Sequence, residues 1–437
     1  MHLIVNHPSV WKAFLAALLI AAAATPLVIL LARDLGAIDS PDDERRVHKL
    51  PTPRLGGLAI MLGIVCASSL FIEWGFLSGI PRRNIEQLGV IICGAVAICA
   101  LGVWDDVRGL SWRAKLMGQV GIAFVTIYAP LAGLATASSQ LVLPVNRIDP
   151  PLIHAITLPT WLGVAVAALW IVALMNMLNF VDGVDGLAAG ISAITAGTFA
   201  VIAVSYDRTN VGVLAAATCG AAIGFLPYNW RKGGARIFMG DSGSMLLGYL
   251  LAVVSLQGVL KTAAAVSLVT PLALLAIPIL DTMFVVAKRL KHHQSLATPD
   301  RWHLHHRALN VGVPPRAVSA AFWLWTGSLS GFSLALRFAD YGNSRHWHTH
   351  GLIVLAGFAL FALAVTVWLA FVLEILKTPG VRARNVVALA LIEREREQPA
   401  ADAAASSGAS VRTGATDSGS DSRHDADSRP NADSSPL

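Results

Sequence analysis

The sequence predicts an all-α, polytopic integral membrane protein, and three observations lead to this prediction: composition, long apolar windows and the placement of basic residues. Of the 437 residues, 55% are hydrophobic and only 14% are charged. A soluble protein carries roughly 25% charged residues, so this composition is typical of a membrane protein. A run of about twenty apolar residues is long enough to cross a bilayer as a helix. Such runs follow one another along most of the chain.

Eleven apolar windows predict about eleven transmembrane helices. They lie near residues 12–32, 56–77, 87–104, 115–134, 159–178, 187–205, 211–226, 243–260, 265–287, 317–337 and 351–375. The first window has too long an apolar core for a signal peptide, lacks a basic start and is followed by Arg33. We therefore interpret it as the first membrane helix.

The placement of lysine and arginine predicts the orientation of the bundle. With the N-terminus outside, the cytoplasmic parts are 33–55, 105–115, 227–242, 288–316 and the segment after 375, which together hold most of the 33 Lys and Arg residues. This distribution obeys the positive-inside rule. No basic stripe interleaves with aromatic residues, so the net charge of +6 does not indicate a nucleic-acid partner.

Composition also predicts two domains: a polytopic membrane domain over residues 1–397 and a disordered cytoplasmic tail over 398–437. The tail consists mainly of Ala, Ser, Asp, Gly and Arg. It cannot bury enough apolar surface to offset the entropy lost on ordering.

The four cysteines lie within apolar runs, and we interpret them as small buried hydrophobes, neither disulfides nor zinc ligands.

The polar motif at residues 176–187 lies at the junction of two apolar windows. Its four polar side chains are spaced three residues apart: Asn176, Asn179, Asp182 and Asp185. Gly183 and Gly186 indicate that the first helix ends here and that the two Asp lie on the turn that opens the next helix. Amide and carboxylate oxygens suit Mg²⁺ and a phosphate-bearing substrate. The alternative is that the Asp-Gly pairs only make turns and Asp185 caps a helix.

Two further predicted cytoplasmic loops carry charged candidates. In the first, Pro and Gly residues accompany His48 and Arg54, which we expect to bind phosphate; the alternative is a basic loop that only fixes orientation. In the second, Asp105 and Asp106 are adjacent at the end of an apolar window. Two such carboxylates repel each other unless a cation lies between them, which favours a Mg²⁺ or general-base role. Lys115 would hold a phosphate as a point charge.

The remaining candidates lie in the second half of the chain. Asp241 stands among glycines just before an apolar window, where it would face a metal-bound pyrophosphate or simply cap the helix. The segment around residues 301–307 is rich in cationic and imidazole groups, which favours anion binding over zinc: Arg301, His303, His305, His306 and Arg307. Asp281 falls inside an apolar window, where a carboxylate has either a functional role or bonds across helices.

Taken together, these motifs resemble the polyprenyl-phosphate N-acetylhexosamine-1-phosphate transferases, a family that includes the WecA and TagO types and the more distant MraY translocases. The matching patterns occur in order: H-K-x-P-x-P-R-x-G-G at 48–57, D-D at 105–106 with Lys115, N-x-x-N-x-x-D-G-x-D-G-L at 176–187, G-D-S-G-S at 240–244 and H-x-H-H-R at 303–307. The first and last patterns are similar to the WecA/TagO branch.

The resemblance implies an enzyme of the bacterial inner membrane that faces the cytoplasm. It would transfer N-acetylhexosamine-1-phosphate, by default GlcNAc-1-phosphate, from the UDP-sugar to undecaprenyl phosphate and release UMP. The product would start O-antigen, common-antigen or teichoic-acid-linkage synthesis. The resemblance also implies Mg²⁺, or Mn²⁺, as cofactor and membrane lipids as partners. The alternatives are another UDP-N-acetylhexosamine, a MraY-like donor and, more distantly, a lipid or solute transporter; a homodimer also stays open.

The resemblance assigns roles to the candidate residues. The catalytic set is Asp105, Asp106, Asp182, Asp185 and Asp241; the substrate-binding set is His48, Arg54, Lys115, Asn176, Asp185, Arg301, His303, His305 and His306; the metal set is Asp106, Asn179 and Asp241. A single displacement by the lipid phosphate, with Asp105 orienting or deprotonating it, is expected. The rival is a double displacement through a phospho-aspartyl intermediate on Asp241 or Asp105.

Overall fold

A computed structural model describes residues 7–39, 51–71, 82–128, 147–148, 156–157, 159–258, 266–291, 303–310, 312–340 and 348–372. Two substrate-binding candidates, His48 and Arg301, lie outside the described residues, as does the predicted tail at 398–437. The division into two domains at residue 397 therefore stays a prediction.

The described part of the chain is built from helices, as the sequence predicts. The helices are α1 (Pro8–Asp34), α2 (Gly56–Phe71), α3 (Arg82–Arg108), α4 (Trp112–Tyr128), α5 (Thr160–Val181), α6 (Leu187–Val204), α7 (Thr209–Asn229), α8 (Gly240–Gly258), α9 (Val266–Leu274), α10 (Ala276–Lys291), α11 (Leu304–Asn310), α12 (Pro315–Phe338) and α13 (Thr349–Val372). Two minimal antiparallel pairings join β1 (Ile38–Asp39) to β2 (Thr52–Pro53) and β3 (Arg147–Ile148) to β4 (Ile156–Thr157).

Each of the eleven apolar windows contains a helix, but the ninth is divided in two. The helix α9 ends at Leu274 and α10 begins at Ala276. Pro278 has no N–H with which to bond the carbonyl of Leu274, so the ladder of helical hydrogen bonds is interrupted there. The short helix α11 is not among the windows, because its seven residues are too polar and too few to give an apolar period.

Within the described residues, six helices are long and apolar enough to cross a membrane. They are Pro8–Asp34, Leu88–Arg108, Thr160–Val181, Leu187–Val204, Thr209–Asn229 and Thr349–Val372. A seventh apolar helix, α2, is shorter. The chain is therefore a multi-pass membrane protein, and the number of eleven spans stays a prediction.

Small side chains allow the helices to pack closely at the centre of the bundle. The helix α1 presents Ala13, Ala17 and Ala21, all fully buried and four residues apart, to α2 and α7. The helices α6 and α7 are almost completely covered, whereas α1 and α13 expose apolar side chains such as Leu27 and Leu360. An exposed surface of this kind is what a lipid-facing helix requires.

One end of the bundle gathers the predicted polar loops. The segment after β2 runs beside the segment before α8, because Gly56 and Gly57 donate backbone hydrogen bonds to Phe238 and Met239 at 3.0 and 2.9 Å. Phe238 in turn donates to the Pro53 carbonyl at 2.8 Å. These contacts bring the first predicted loop against the motif that contains Asp241.

Candidate active site

The turn between α5 and α6 holds Asp182 and Asp185 as the sequence predicts, since α5 ends at Val181 and α6 begins at Leu187. Gly186 adopts φ of 76°, a left-handed conformation that only glycine enters freely, and its N–H donates to Asn229 Oδ1 at 2.7 Å. Asp185 does not cap α6: its Oδ2 accepts from the Ala235 N–H at 2.9 Å. The capping alternative is wrong, and Asp185 instead joins this turn to the segment before α8.

Asp106 fixes the start of α8. Its side chain is 4% exposed, and its two oxygens accept the backbone N–H groups of Asp241 and Ser242, each at 3.0 Å. A carboxylate in this position accepts hydrogen bonds from the unpaired N–H groups of the first turn. Its negative charge also interacts favourably with the positive end of the helix dipole. Arg54 supports it, because its Nε donates to the Asp106 carbonyl at 3.0 Å. Asp106 and Arg54 therefore set the position of Asp241.

Lys115 lies between two carboxylates. Its Nζ is 3.1 Å from Asp105 Oδ2 and forms a second ion pair with Asp241 Oδ2. The expected cation between Asp105 and Asp106 is therefore not what the described residues show. Because Asp106 turns toward the N-terminus of α8, the acid that shares a cation with Asp105 is Asp241. The ion pair between Lys115 and Asp241 joins residues that are 126 positions apart.

The two asparagines of the 176–187 motif have different surroundings. Asn179 Nδ2 donates to Asp241 Oδ1 at 2.8 Å and to Ser244 Oγ at 2.9 Å, so it lies in the acidic cluster. Asn176 is one turn earlier, and its Nδ2 donates to Gln119 Oε1 at 2.7 Å. Gln119 is fully buried and was not predicted, because a lone polar residue in an apolar window carries no local signal.

Asp182 is the acid whose charge is least compensated by the protein. Burial, and then the neighbouring carboxylates Asp241, Asp106 and Asp185, raise the pKa of Asp182 to about 8. Among the described residues, no side-chain or backbone donor bonds its carboxylate. A carboxylate in this state gains a proton or binds a cation.

The histidine segment reaches the same turn. His305 is 2% exposed, and its imidazole lies so close to Gly183 that a Cβ there would collide with it. Its ring centroid is 5.7 Å from that of His303 and 4.4 Å from that of His306. Burial, and then the charges of these two histidines, lower the pKa of His305 well below its ordinary value. His305 is therefore a neutral imidazole at physiological pH.

Asp281 holds the histidine segment in place. It is 1% exposed, and its carboxylate accepts from His303 Nδ1 at 2.7 Å and from the Leu304 N–H at 2.6 Å. Of the two roles predicted for Asp281, the structure shows the bond between helical segments: its carboxylate links α10 to the start of α11. The Asp281 carboxylate thereby fixes the ring orientation of His303 and favours the tautomer with its proton on Nδ1.

The chemistry of the acidic cluster fits Mg²⁺ as a shared ligand of protein and substrate. Asp182, Asp241 and the amide oxygen of Asn179 are hard oxygen donors. Among the described residues, no group of three His, Cys, Asp or Glu side chains holds a metal by itself. Mg²⁺ in phosphate-handling sites takes only one or two carboxylates and completes its shell with water and substrate phosphate. The donor set fits this kind of site and not a closed protein cage.

The fold and the site together define a class: a multi-pass membrane protein with an acid-, amide- and imidazole-lined site at one end of its helix bundle. Residues 88–259 match glycosyl transferase family 4. The chain is 34% identical over 307 residues to the "Probable undecaprenyl-phosphate N-acetylglucosaminyl 1-phosphate transferase" of Bacillus subtilis strain 168, covering 70% of this chain and 78% of that protein.

Two other relatives are also named as transferases. The decaprenyl-phosphate N-acetylglucosaminephosphotransferase of Mycobacterium tuberculosis H37Rv is 36% identical over 326 residues, covering 70% of this chain and 76% of that protein. The phospho-N-acetylmuramoyl-pentapeptide-transferase of Desulforudis audaxviator is 31% identical over 326 residues, covering 71% and 92%. The chain belongs to glycosyl transferase family 4, as the resemblance of its motifs implies.

Proposed function

We propose that this chain transfers N-acetylglucosamine-1-phosphate from UDP-GlcNAc to undecaprenyl phosphate or a similar polyprenyl phosphate and releases UMP. The names of its relatives support this reaction. The observation that carries the proposal is the assembly around Asp241 of residues from three other motifs: Asp106, Lys115 and Asn179 contact it directly, and Arg54 supports Asp106. An acidic cluster at one end of the bundle also favours an enzyme over a transporter, whose site lies near the bilayer midplane.

The reaction must bring two anions together, the diphosphate of the donor and the phosphate of the acceptor. Lys115 supplies the positive charge nearest to Asp105 and Asp241 and would contact the diphosphate. A neutral His305 would donate its ring N–H to a phosphate oxygen without adding a charge to the site. Because His305 lies against Gly183, the phosphates would be held near the 182–186 turn.

We assign Asp182, Asp241 and Asn179 to Mg²⁺, with Mn²⁺ as a substitute, and Asp106 to positioning of the Asp241 backbone. When bound, the metal would offset charge on the diphosphate and on the UMP that leaves. Burial and the neighbouring carboxylates raise the pKa of Asp182. A cation bound beside Asp182 would offset this repulsion and stabilise the ionised carboxylate.

A single displacement agrees best with the surroundings of the two nucleophile candidates. Asp105 accepts the Leu110 N–H at 2.6 Å and pairs with Lys115, and Asp241 is bonded by Lys115 and Asn179. Carboxylates stabilised in this way are weak nucleophiles. The acceptor phosphate has a second pKa of about 6 and is already largely deprotonated at neutral pH. We expect no labelled protein after incubation with β-³²P-labelled donor alone; a stable phospho-aspartyl adduct would establish the double displacement.

Mass spectrometry of the lipid product tests the reaction and the donor. Purified protein in nanodiscs with Mg²⁺ and undecaprenyl phosphate is offered UDP-GlcNAc, UDP-GalNAc or UDP-MurNAc-pentapeptide. We expect a lipid diphosphate that carries GlcNAc, formed only when the lipid phosphate is present. A product from the pentapeptide donor alone would place the chain with the phospho-N-acetylmuramoyl-pentapeptide-transferases instead.

We further propose eleven membrane spans in the bacterial inner membrane, with the N-terminus outside and the site facing the cytoplasm. The predicted basic loops and the five motifs share one side of the bundle in this arrangement. The product would then start a lipid-linked envelope polysaccharide, such as O-antigen, common antigen or the teichoic-acid linkage unit.

Replacing Asp281 by asparagine should lower kcat about 10–100-fold, the usual effect of removing a group that orients a ligand-binding histidine. The amide cannot accept from both His303 and Leu304 as the carboxylate does, so the imidazole loses its fixed tautomer. Steady-state UMP release measures the effect. Thr282→Val is the matched control, because the Thr282 hydroxyl is buried and has no hydrogen-bond partner among the described residues. Equal activity of Asp281→Asn and wild type would leave Asp281 with a packing role only.

A further inference from the structure

A cavity of about 490 Å³ lies beside the active-site loops, where the end of α1 meets the segment before α8. Its lining combines apolar side chains with two arginines. The residues that matter are Pro26, Ile29, Arg33, Thr52, Tyr228 and Arg236. None of the nine lining residues is acidic.

We propose that this cavity binds a phospholipid with an anionic phosphodiester headgroup, of the phosphatidylglycerol type, as a boundary lipid that is not a substrate. The headgroup would lie between Arg33 and Arg236, and one acyl chain would follow α1 past Ile29 and Pro26. The proposal extends the proposed function, because it concerns a second lipid site next to the transferase site.

The two arginines have no counter-ion among the residues that the structure describes. Neither Arg33 nor Arg236 makes a side-chain ion pair or hydrogen bond among the described residues. Arg54 in the first predicted loop is instead bonded to the Asp106 carbonyl, and its Nη1 lies 3.7 Å from Asp39 Oδ1. Two guanidinium groups on one cavity repel each other, and a phosphodiester would compensate both with bidentate hydrogen bonds.

The position of Arg33 selects a lipid rather than a free phosphate. It is the basic residue in the last turn of α1, a helix of 27 residues that is apolar enough to cross the membrane. The turns before it expose Leu27 and Leu30, which are 68% and 57% accessible. A ligand that contacts both the arginines and this surface has a charged head and an apolar chain, and in the proposed orientation Arg33 would lie at the level of the lipid headgroups.

The cavity wall is connected to the catalytic turn by hydrogen bonds. The Arg236 N–H donates to the Tyr228 carbonyl at 2.8 Å and closes the segment between them. Within that segment the Ala235 N–H donates to Asp185 Oδ2 at 2.9 Å. A headgroup bound to Arg236 would therefore restrict the segment that holds Asp185, and we expect anionic lipid to increase turnover.

Photo-labelling tests the site without relying on the reaction. Full-length protein is placed in phosphatidylcholine nanodiscs that contain a phosphatidylglycerol with a diazirine near the headgroup, and labelled peptides are mapped. We expect labelling of α1 near Arg33 and of the segment near Arg236, reduced at least about fivefold in Arg33→Gln/Arg236→Gln and by added salt. Arg208→Gln, an exposed arginine at the other end of α7, should leave it unchanged.

A second measurement follows activity. Raising the phosphatidylglycerol fraction should increase wild-type turnover several-fold, whereas the double Gln variant should keep its rate in phosphatidylcholine and lose the increase. Arg33→Lys/Arg236→Lys should retain most of the labelling, which separates loss of charge from misfolding. Unchanged labelling of the double Gln variant would overturn the proposal. So would displacement of the label by undecaprenyl phosphate at catalytic concentrations, since the cavity would then belong to the acceptor.

Discussion

Asp182→Asn is expected to lose turnover by about 10²–10³-fold and yet to make the metal-free protein more resistant to heat. The carboxylate of Asp182 has a raised pKa because it is buried beside three other acids, and no protein donor among the described residues bonds it. An asparagine keeps the shape and removes the repulsion. Thermal unfolding in EDTA should show a Tm above wild type, and Mg²⁺ should raise Tm in wild type but not in the variant.

The sign of the pH dependence follows from the same pKa. In the unfolded chain Asp182 loses its proton near its ordinary pKa of about 4, whereas in the folded protein it keeps the proton up to about pH 8. The folded state thus binds more protons between these values, so wild-type stability should fall as pH rises through this range. Asp182→Asn should flatten that slope. Asp207→Asn, an exposed position with φ of 55° that suits asparagine, is the control. A lower Tm for Asp182→Asn than for wild type would contradict the account.

Lys115→Met is expected to have the opposite effect on stability. The substitution removes the charge between Asp105 and Asp241, whose side chains are only 14% and 27% exposed. Two carboxylates left without their cation should cost about 1–3 kcal/mol of folding free energy. Turnover should fall by about 10²–10³-fold, because the same ammonium group would contact the diphosphate in the transition state.

A double variant separates these two effects. Lys115→Met/Asp241→Asn should recover much of the lost Tm, since the repulsion has gone, but should recover no activity. Lys12→Met, at the exposed far end of α1, is the control for loss of a lysine. If Lys115→Met were as stable as wild type and the double variant no more stable than the single one, Lys115 would not be the cation that joins these acids.

The helices could be predicted well because their signal is local. Apolar windows located all the helices of the described residues except α11, and Gly183 and Gly186 correctly placed Asp182 and Asp185 on a turn. The break at Leu275 also has a local cause, Pro278, which the apolar average across the window conceals. The polar loops share one end of the bundle, as the placement of charge indicated.

The partners within the site could not be predicted, because they depend on contacts between distant parts of the chain. The adjacency of Asp105 and Asp106 suggested a pair, whereas the fold turns one toward Lys115 and the other toward the N-terminus of α8. Asp281 lies in α10, and His303, 22 residues later, directly precedes α11, so only the fold shows that they bond. The motif resemblance predicted the candidate residues, and the geometry shows that Asp106 and Asp281 bond the backbone of neighbouring segments of the candidate site.

The most direct test of the central claim, a magnesium-dependent transferase site on the cytoplasmic side, is UMP release in sealed vesicles of defined orientation. UDP-GlcNAc, which does not cross membranes, is added outside inverted and right-side-out vesicles from cells that express wild type or Asp241→Asn. We expect Mg²⁺-dependent UMP release from inverted wild-type vesicles, release from right-side-out vesicles only after detergent, and none with the variant. Release from intact right-side-out vesicles, or equal release by Asp241→Asn, would contradict the account.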